Sequence, residues 1–206
     1  MLIVQLFDLP RRIVLNCNFV SRMALTIAVT FTPLVGMSSK SKYKNFIESN
    51  DMHEAICRND IEAVKKYLDN NGDPNLTYNN LALIHIAILQ TANIDIIKLL
   101  IAHGANVNLK RNSISPLDSA IIWNKTEIAE LLIASNADVN GLDDLCGSSP
   151  IQKVLTRSNS KHRLDMLHML LNAKNINANQ PDAYGQTPFW TACATGDLQA
   201  VKILSE

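Results

Sequence analysis

The chain has 206 residues, of which 47% are hydrophobic and 18% charged, so it can bury a sizeable core and is too apolar to be disordered throughout. Its 19 basic side chains balance 19 acidic ones, which argues against a nucleic-acid-binding protein, because such proteins carry an excess of Lys and Arg. The four cysteines lie far apart, which argues against a disulfide scaffold or a Cys-x-x-Cys zinc site.

Residues 1–36 differ in composition from the rest of the chain. Three arginines precede a mostly apolar stretch at 23–35, which is typical of a signal peptide although Pro33 interrupts it. A basic, acid-poor presequence is a second interpretation. The third is that Met37 is the true start, so that 1–36 is a leader or a start-site artefact. The protein is cytoplasmic on this third interpretation, and exported or membrane-anchored if 1–36 is a targeting segment. Residues 37–50 are interpreted as a polar linker.

A repeating pattern organises the chain from residue 51 onward. The strings Ala105-Asn-Val-Asn108 and Ala137-Asp-Val-Asn140 lie 32 positions apart. A second motif runs in phase with them, and its Ser/Thr-Pro start is typical of a helix N-terminus. Between the motifs, apolar residues at helical spacing predict a second helix in each unit. The second motif occurs in a variant form at Leu83–Ala87, and then as Ser115–Ala120, Ser149–Val154 and Thr187–Ala192.

These motifs resemble the ankyrin repeat, whose period is about 33 residues and whose signature is Thr-Pro-Leu-His-x-Ala. The resemblance covers about residues 51–206 and implies an all-α repeat solenoid. Its stacked helix-turn-helix units are expected to be linked by short β-hairpin loops. Five repeats are expected, the last of them truncated, at 51–75, 76–108, 109–140, 141–177 and 178–206.

Three repeats depart from this pattern. The second has Ala82-Leu83 where Thr-Pro is expected. The fourth has Val154 in place of the small alanine and about three extra residues, so a longer loop is expected from Arg157 to Arg163. The fifth stops at Glu206 inside its second helix. We therefore expect either a piece of a longer array or another covering for that end.

No catalytic, cofactor-binding or metal-binding residues are predicted, because the sequence has no Gly-rich phosphate loop, no nucleophile elbow and no His-Glu-x-x-His. His85 occupies the His position of the repeat, where the resemblance implies a hydrogen bond to neighbouring backbone. His162 and His168 would lie on different faces of a helix, which disfavours a metal site. Cys57 and Cys193 follow the small position of their helices and are expected to be buried.

The resemblance implies that a concave face, built from the first helices and the hairpin tips, binds protein partners. Trp123 is the central candidate, because Trp and Arg are enriched in binding hot spots; packing of Trp123 in the core is the alternative. Trp190 is expected to pack internally. The register predicts one exposed row, three positions after the small residue, at Arg58, Gln90, Trp123, Arg157 and Thr195. It predicts a second exposed row, one position before the small residue, at Glu54, Ile86, Ser119, Lys153 and Thr191. Candidate contacts at the hairpin tips are Lys110, Arg111, Asp143, Asp144, Asp182 and Tyr184.

We therefore predict a non-enzymatic protein–protein interaction module that binds a protein partner through its concave face and hairpin tips. No cofactor, nucleic acid or small-molecule substrate is expected, and contact with a membrane is an open question only for residues 1–36. The chain is expected to be a monomer. Two alternatives stay open: a truncated remnant of a longer ankyrin protein without a function of its own, and an exported or membrane-anchored ankyrin effector.

Overall fold

The computed structural model describes residues 51–90, 93–144, 146–157 and 162–205. The segments 1–36 and 37–50, on which the localisation depends, lie outside this range. The described residues form ten helices in five antiparallel pairs, together with one short hairpin, β1 (Thr77–Tyr78) and β2 (Leu81–Ala82). The helices, in chain order, are α1 (51–57), α2 (Ile61–Asp69), α3 (Leu83–Gln90), α4 (Ile94–Ala102), α5 (Pro116–Ile122), α6 (Thr126–Ala134), α7 (Pro150–Thr156), α8 (Arg163–Leu171), α9 (Pro188–Ala194) and α10 (Leu198–Ser205).

Three of the first helices begin at the Ser/Thr-Pro motifs. The hydroxyl of Ser115 accepts a hydrogen bond from the Asp118 amide at 3.0 Å, and the Asp118 carboxylate accepts one from the Ser115 amide at 3.1 Å. Ser149 makes the same reciprocal arrangement with the residue three positions on. Thr187 caps α9 through its hydroxyl alone. Each cap satisfies amides that the first turn of a helix leaves without partners, which is why these helices start where the motif does.

Several helices are followed by an asparagine or a glycine with positive φ. Asn59, Asn124 and Gly196 follow first helices with positive φ, and Asn136 does so after the second helix α6. Positive φ is sterically costly for most residues but tolerated by Gly and Asn. Part of the asparagine richness of the sequence therefore has a turn-forming role.

The apolar faces of the helix pairs form one continuous core. Large side chains such as Ile56, Ile97, Leu117 and Leu167 are fully or almost fully buried. The small position of the repeat is buried in every unit, including the fourth, where Val154 replaces alanine. The predicted all-α repeat solenoid is thereby confirmed.

Three asparagines, one at each junction, connect the first four repeats. Asn108 donates its side-chain amide to the Asn136 carbonyl at 3.2 Å and accepts from the Asp138 backbone amide at 2.7 Å. The same paired contacts join Asn75 to Gly104 and Asn106, and Asn140 to Asn175 and Asn177. We call these contacts of Asn75, Asn108 and Asn140 the asparagine bridges. Because each bridge satisfies one backbone carbonyl and one backbone amide, it fixes the register between neighbouring repeats.

The fourth repeat is longer than its neighbours in three places. The predicted longer loop is present, because six residues separate α7 from α8 whereas three separate α5 from α6; residues 158–161 of that loop lie outside the described residues. The hairpin before α7 and the turn after α8 are also extended. In this last turn the position equivalent to Asn140 is Asn179, whose amide nitrogen donates to Asn177 just as the amide of Asn140 donates to Asp138.

Candidate partner-binding surface

The first predicted row is exposed along its whole length. Gln90 is the last residue of α3, and Trp123, Arg157 and Thr195 are the C-caps of α5, α7 and α9. All four side chains are exposed, and so is Arg58, which follows α1. We call Arg58, Gln90, Trp123, Arg157 and Thr195 the ladder. Its exposure confirms what the register predicted, while its role in binding stays a prediction.

Both tryptophans are exposed. Trp123 is 58% exposed, so the alternative that it packs in the core is wrong. Trp190 is 50% exposed, so its predicted internal packing is also wrong. In the second repeat the equivalent residue, His85, packs under the following repeat and bonds the Ile114 carbonyl. No such neighbour covers Trp190 among the described residues.

The second predicted row is not exposed. Ile86, Ser119 and Thr191 are buried, and the only members with intermediate exposure are Glu54 and Lys153. The hydroxyl of Ser119 donates to the Ser115 carbonyl at 3.1 Å, and that of Thr191 donates to the Thr187 carbonyl at 3.2 Å. The prediction for this row was wrong because the position one residue before the small one faces the adjacent first helix.

Lys153 is part of a buried ion-pair network rather than an exposed contact. Its Nζ lies 2.8 Å from the Asp118 carboxylate and 3.5 Å from the Asp143 carboxylate. The exposed fractions of the three side chains are 14% for Lys153, 2% for Asp118 and 10% for Asp143. We call these three residues the Lys153 network. The predicted exposure of Lys153 was therefore wrong, because two largely buried carboxylates require a cation beside them. Asp143 lies in the hairpin before α7, but its side chain is largely buried in this network, and its role as a tip contact stays a prediction.

The hairpin tips are held partly by contacts between neighbouring repeats. The Nζ of Lys110 donates to the Leu142 carbonyl at 2.5 Å and lies 3.5 Å from Asp144. Arg111 is half-buried, and its backbone pairs with Ile114 in an isolated bridge. Three of the predicted tip residues, Lys110, Asp144 and Tyr184, are exposed.

The remaining tip candidate, Asp182, has a local role. Its carboxylate accepts the backbone amides of Tyr184 and Gln186, both at 2.9 Å, and so shapes the turn that carries Tyr184.

Two histidines have their pKa values lowered by burial. His85 donates from Nε2 to the Ile114 carbonyl at 3.2 Å, as expected for this position. Burial lowers the pKa of His85 below 6.5; the hydrogen bond to Ile114 opposes that shift, and the nearby Arg111 adds to it. Burial also lowers the pKa of His53, whose ring stacks on Tyr78 with centroids 4.3 Å apart.

The cysteines lie differently from the prediction. Cys57 and Cys193 are exposed, not buried. Cys57 follows the small position by two residues, where the helix has turned toward the surface. Cys193 follows it by one, a position that is buried in the other four repeats, and among the described residues no following repeat covers it. Cys57 Sγ lies 3.6 Å from His53 Nε2. Within the described part of the chain, no group of three His, Cys, Asp or Glu side chains is placed to hold a metal ion.

Two sequence models of one family match this chain. The model described as ankyrin repeats (3 copies) matches residues 52–143, and the model described as ankyrin repeats (many copies) matches residues 158–204. Together they cover more than half of the sequence. The chain belongs to the ankyrin-repeat family. Ankyrin repeats are generally protein–protein interaction modules, and the family is a non-enzymatic interaction fold.

Individual relatives share the repeats over part of their length. The chain is 33% identical to an ankyrin repeat protein of fowlpox virus over 48% of this chain and 17% of that protein. It is 31% identical to human ankyrin repeat and SOCS box protein 6 over 54% of this chain and 27% of that protein. It is 26% identical to human transient receptor potential cation channel subfamily A member 1 over 74% of this chain and 14% of that protein. The chain thus spans less than a third of each relative.

No helix in the described ranges combines the length and apolarity required to span a bilayer.

Proposed function

We propose that this ankyrin-repeat protein acts without catalysis, as a protein–protein interaction module whose ladder contacts the partner. The observation that supports the proposal most directly is the exposure of Trp123 on the third of five repeats. A large aromatic side chain that stays in water in the free protein gains from burial against a partner, and such residues at the centre of an interface dominate its affinity.

The helices that carry the ladder residues are held in place by caps and by contacts between repeats. Ser115 and Ser149 cap the helices that carry Trp123 and Arg157, and the asparagine bridges fix the registers of the repeats. The Lys153 network ties α5 to α7, the two helices that end at these residues. A surface that is already ordered loses little conformational entropy on binding, so more of the contact energy appears as affinity.

The proposal is tested by capturing proteins from a native lysate on the full chain and on its Trp123→Ala variant. Trp190→Ala is the matched control, because it removes an equally exposed tryptophan outside the ladder. We expect a partner retained by the parent and by the control but reduced about tenfold or more by Trp123→Ala, since loss of a hot spot costs about 2 kcal/mol or more. Circular dichroism first establishes that all three proteins have the same helix content.

Two results would contradict the proposal. Equal retention by the parent and by Trp123→Ala would show that the ladder is not the contact surface. Retention of no protein above a blank matrix would favour the alternative that this chain is a remnant without a function of its own.

A further inference from the structure

The first helices of repeats two to five carry very little exposed charge. Their described segments, with the ladder positions included, are 83–90, 116–123, 150–157 and 188–195. These segments contain only four residues that can carry a formal charge at their usual protonation: His85, Asp118, Lys153 and Arg157. His85 and Asp118 are buried, and Lys153 is largely buried and paired with Asp118. Arg157 is therefore the one exposed charged side chain of these four segments.

The first repeat offers a contrast. Arg58 forms an ion pair with Glu54 one helical turn earlier, so its charge is already compensated within its own repeat. No ion pair involves Arg157 among the described residues. Among the described residues, the ladder charge that has no ion-pair partner thus lies at Arg157, one repeat away from the exposed indole of Trp123.

From this arrangement we infer that the ladder binds an acidic segment of its partner, with a carboxylate on Arg157 and a large apolar side chain on Trp123. The inference rests on the proposed function and adds the chemistry of the partner. A carboxylate complements a guanidinium in both charge and geometry, and such pairing across an interface selects partners by excluding basic ones.

The spacing of the two groups constrains the segment. Trp123 and Arg157 occupy the same position of adjacent first helices, and packed helices lie about 8–10 Å apart. In a polyproline II segment, which has three residues per turn, residues three apart lie on the same face and are separated by about 9 Å. In a helical segment, a separation of about seven residues gives the same distance. The acidic and the apolar residue of the partner are therefore expected at one of these two spacings.

The test selects peptides from a random 12-residue library displayed on phage, with the full chain as the immobilised target. The parent is expected to enrich Asp or Glu together with Leu, Phe or Met at a separation of three or seven. Arg157→Glu reverses the ladder charge and should enrich Lys or Arg in the same place. Lys202→Glu is the matched control, because Lys202 is an exposed residue of α10 with the same change of charge; it should keep the acidic preference.

The affinity of one selected acidic peptide for the parent and for each variant then gives the size of the effect. Arg157→Glu is expected to weaken it about tenfold or more, and the loss should shrink at high salt because the contact is exposed. Trp123→Ala should also weaken it, whereas Trp190→Ala should not.

The outcomes separate the inference from the proposed function. Peptides that lose affinity in Trp123→Ala but carry no acidic preference overturn the inference and leave the ladder as the binding surface. Peptides that bind Trp123→Ala as well as the parent, or a library that yields no binders, overturn both. An acidic preference that persists unchanged in Arg157→Glu overturns the assignment of the carboxylate to Arg157.

Discussion

Lys153 forms ion pairs with two carboxylates that belong to different repeats. Asp118 belongs to α5 of the third repeat, and Asp143 to the hairpin that precedes α7. Asp118 also caps its own helix through the Ser115 amide. A single ammonium group thus lies beside two largely buried carboxylates and joins two repeats. Replacing Lys153 by an uncharged residue would leave the Asp118 carboxylate, which is 2% exposed, without the ammonium group beside it.

Replacement of this lysine is predicted to be strongly destabilising. Lys153→Met keeps the length of the side chain and removes the charge, and we expect the free energy of unfolding to fall by about 3–5 kcal/mol. Urea unfolding followed by circular dichroism measures the change. Lys202→Met, on the exposed surface of α10, should change stability by less than about 0.5 kcal/mol. Equal effects of the two substitutions would show that the Lys153 network contributes no special stability.

His85 is predicted to make stability depend on pH. Its pKa is lowered by burial in the folded chain, whereas in the unfolded chain the pKa returns to the usual 6.5. The unfolded state therefore binds the proton more readily, so stability is lost as the pH falls through 6.5 toward the lower folded pKa. The contribution is fully present above that range.

The measurement compares the parent with His85→Gln and His53→Gln across pH 5 to 8, a range chosen to bracket about one unit or more on each side of a histidine pKa. The parent should lose up to about 1.4 kcal/mol per pH unit for each such histidine, and each variant should lose less than the parent. The pH dependence of stability is expected to decrease more in His85→Gln than in His53→Gln, because His85 is the more deeply buried of the two. An identical pH profile for the parent and His85→Gln would contradict the predicted shift.

At the scale of the element, the helix pairs are joined by a device that recurs with the repeat. Each asparagine bridge acts at the turn after a second helix, where backbone groups would otherwise lack partners. The apolar faces hold the pairs together, but apolar contact alone has no direction. The bridges make the contact directional, because one asparagine side chain must hydrogen-bond both to a backbone carbonyl and to the backbone amide two residues further on.

Loss of one bridge is predicted to loosen one junction. Asn108→Ala removes a donor and an acceptor, and we expect a cost of about 1–2 kcal/mol, since each hydrogen bond contributes about 0.5–1.5 kcal/mol. Asn179→Ala is the matched control: it lies at the same position of the following turn, and its side chain is exposed. Unfolding in urea compares the two. A control that destabilises as much as Asn108→Ala would argue against the bridge.

At the scale of the whole molecule, burial is uneven along the stack. In α6 three residues, Ile128, Ala129 and Leu132, are buried, whereas in α10 only Ala200 is. Amide hydrogen exchange in the 206-residue chain should therefore be faster in α10 than in α6, because local opening there exposes less apolar surface. Mass spectrometry of peptic fragments reads both helices in one experiment. Equal protection of α6 and α10 would indicate that the exposed face of the fifth repeat is covered in solution.

The sequence was sufficient to predict features that depend on neighbours along the chain. Ser115 and Thr187 predicted the starts of their helices, since a cap acts over three residues. The register predicted that Arg157 is exposed, whereas for Trp123 it left open whether the side chain lies on the surface or in the core. Features that depend on distant neighbours were missed. The burial of Lys153 depends on Asp118, which lies 35 positions away, and no periodic pattern marks that pair. The exposure of Trp190 depends equally on what packs over α9.

The asparagine bridges and the Lys153 network differ in how they are affected when a repeat is duplicated in the gene. A duplicated repeat copies its own asparagine bridge, which finds the same backbone carbonyl and amide in whatever repeat follows, so the new junction closes without further mutation. The junction between the third and fourth repeats behaves differently, because Asp118 and Lys153 are supplied by different repeats. A repeat inserted there would separate the buried Asp118 carboxylate from the Lys153 ammonium group. Growth by duplication is therefore tolerated more readily at the junctions joined by asparagine alone.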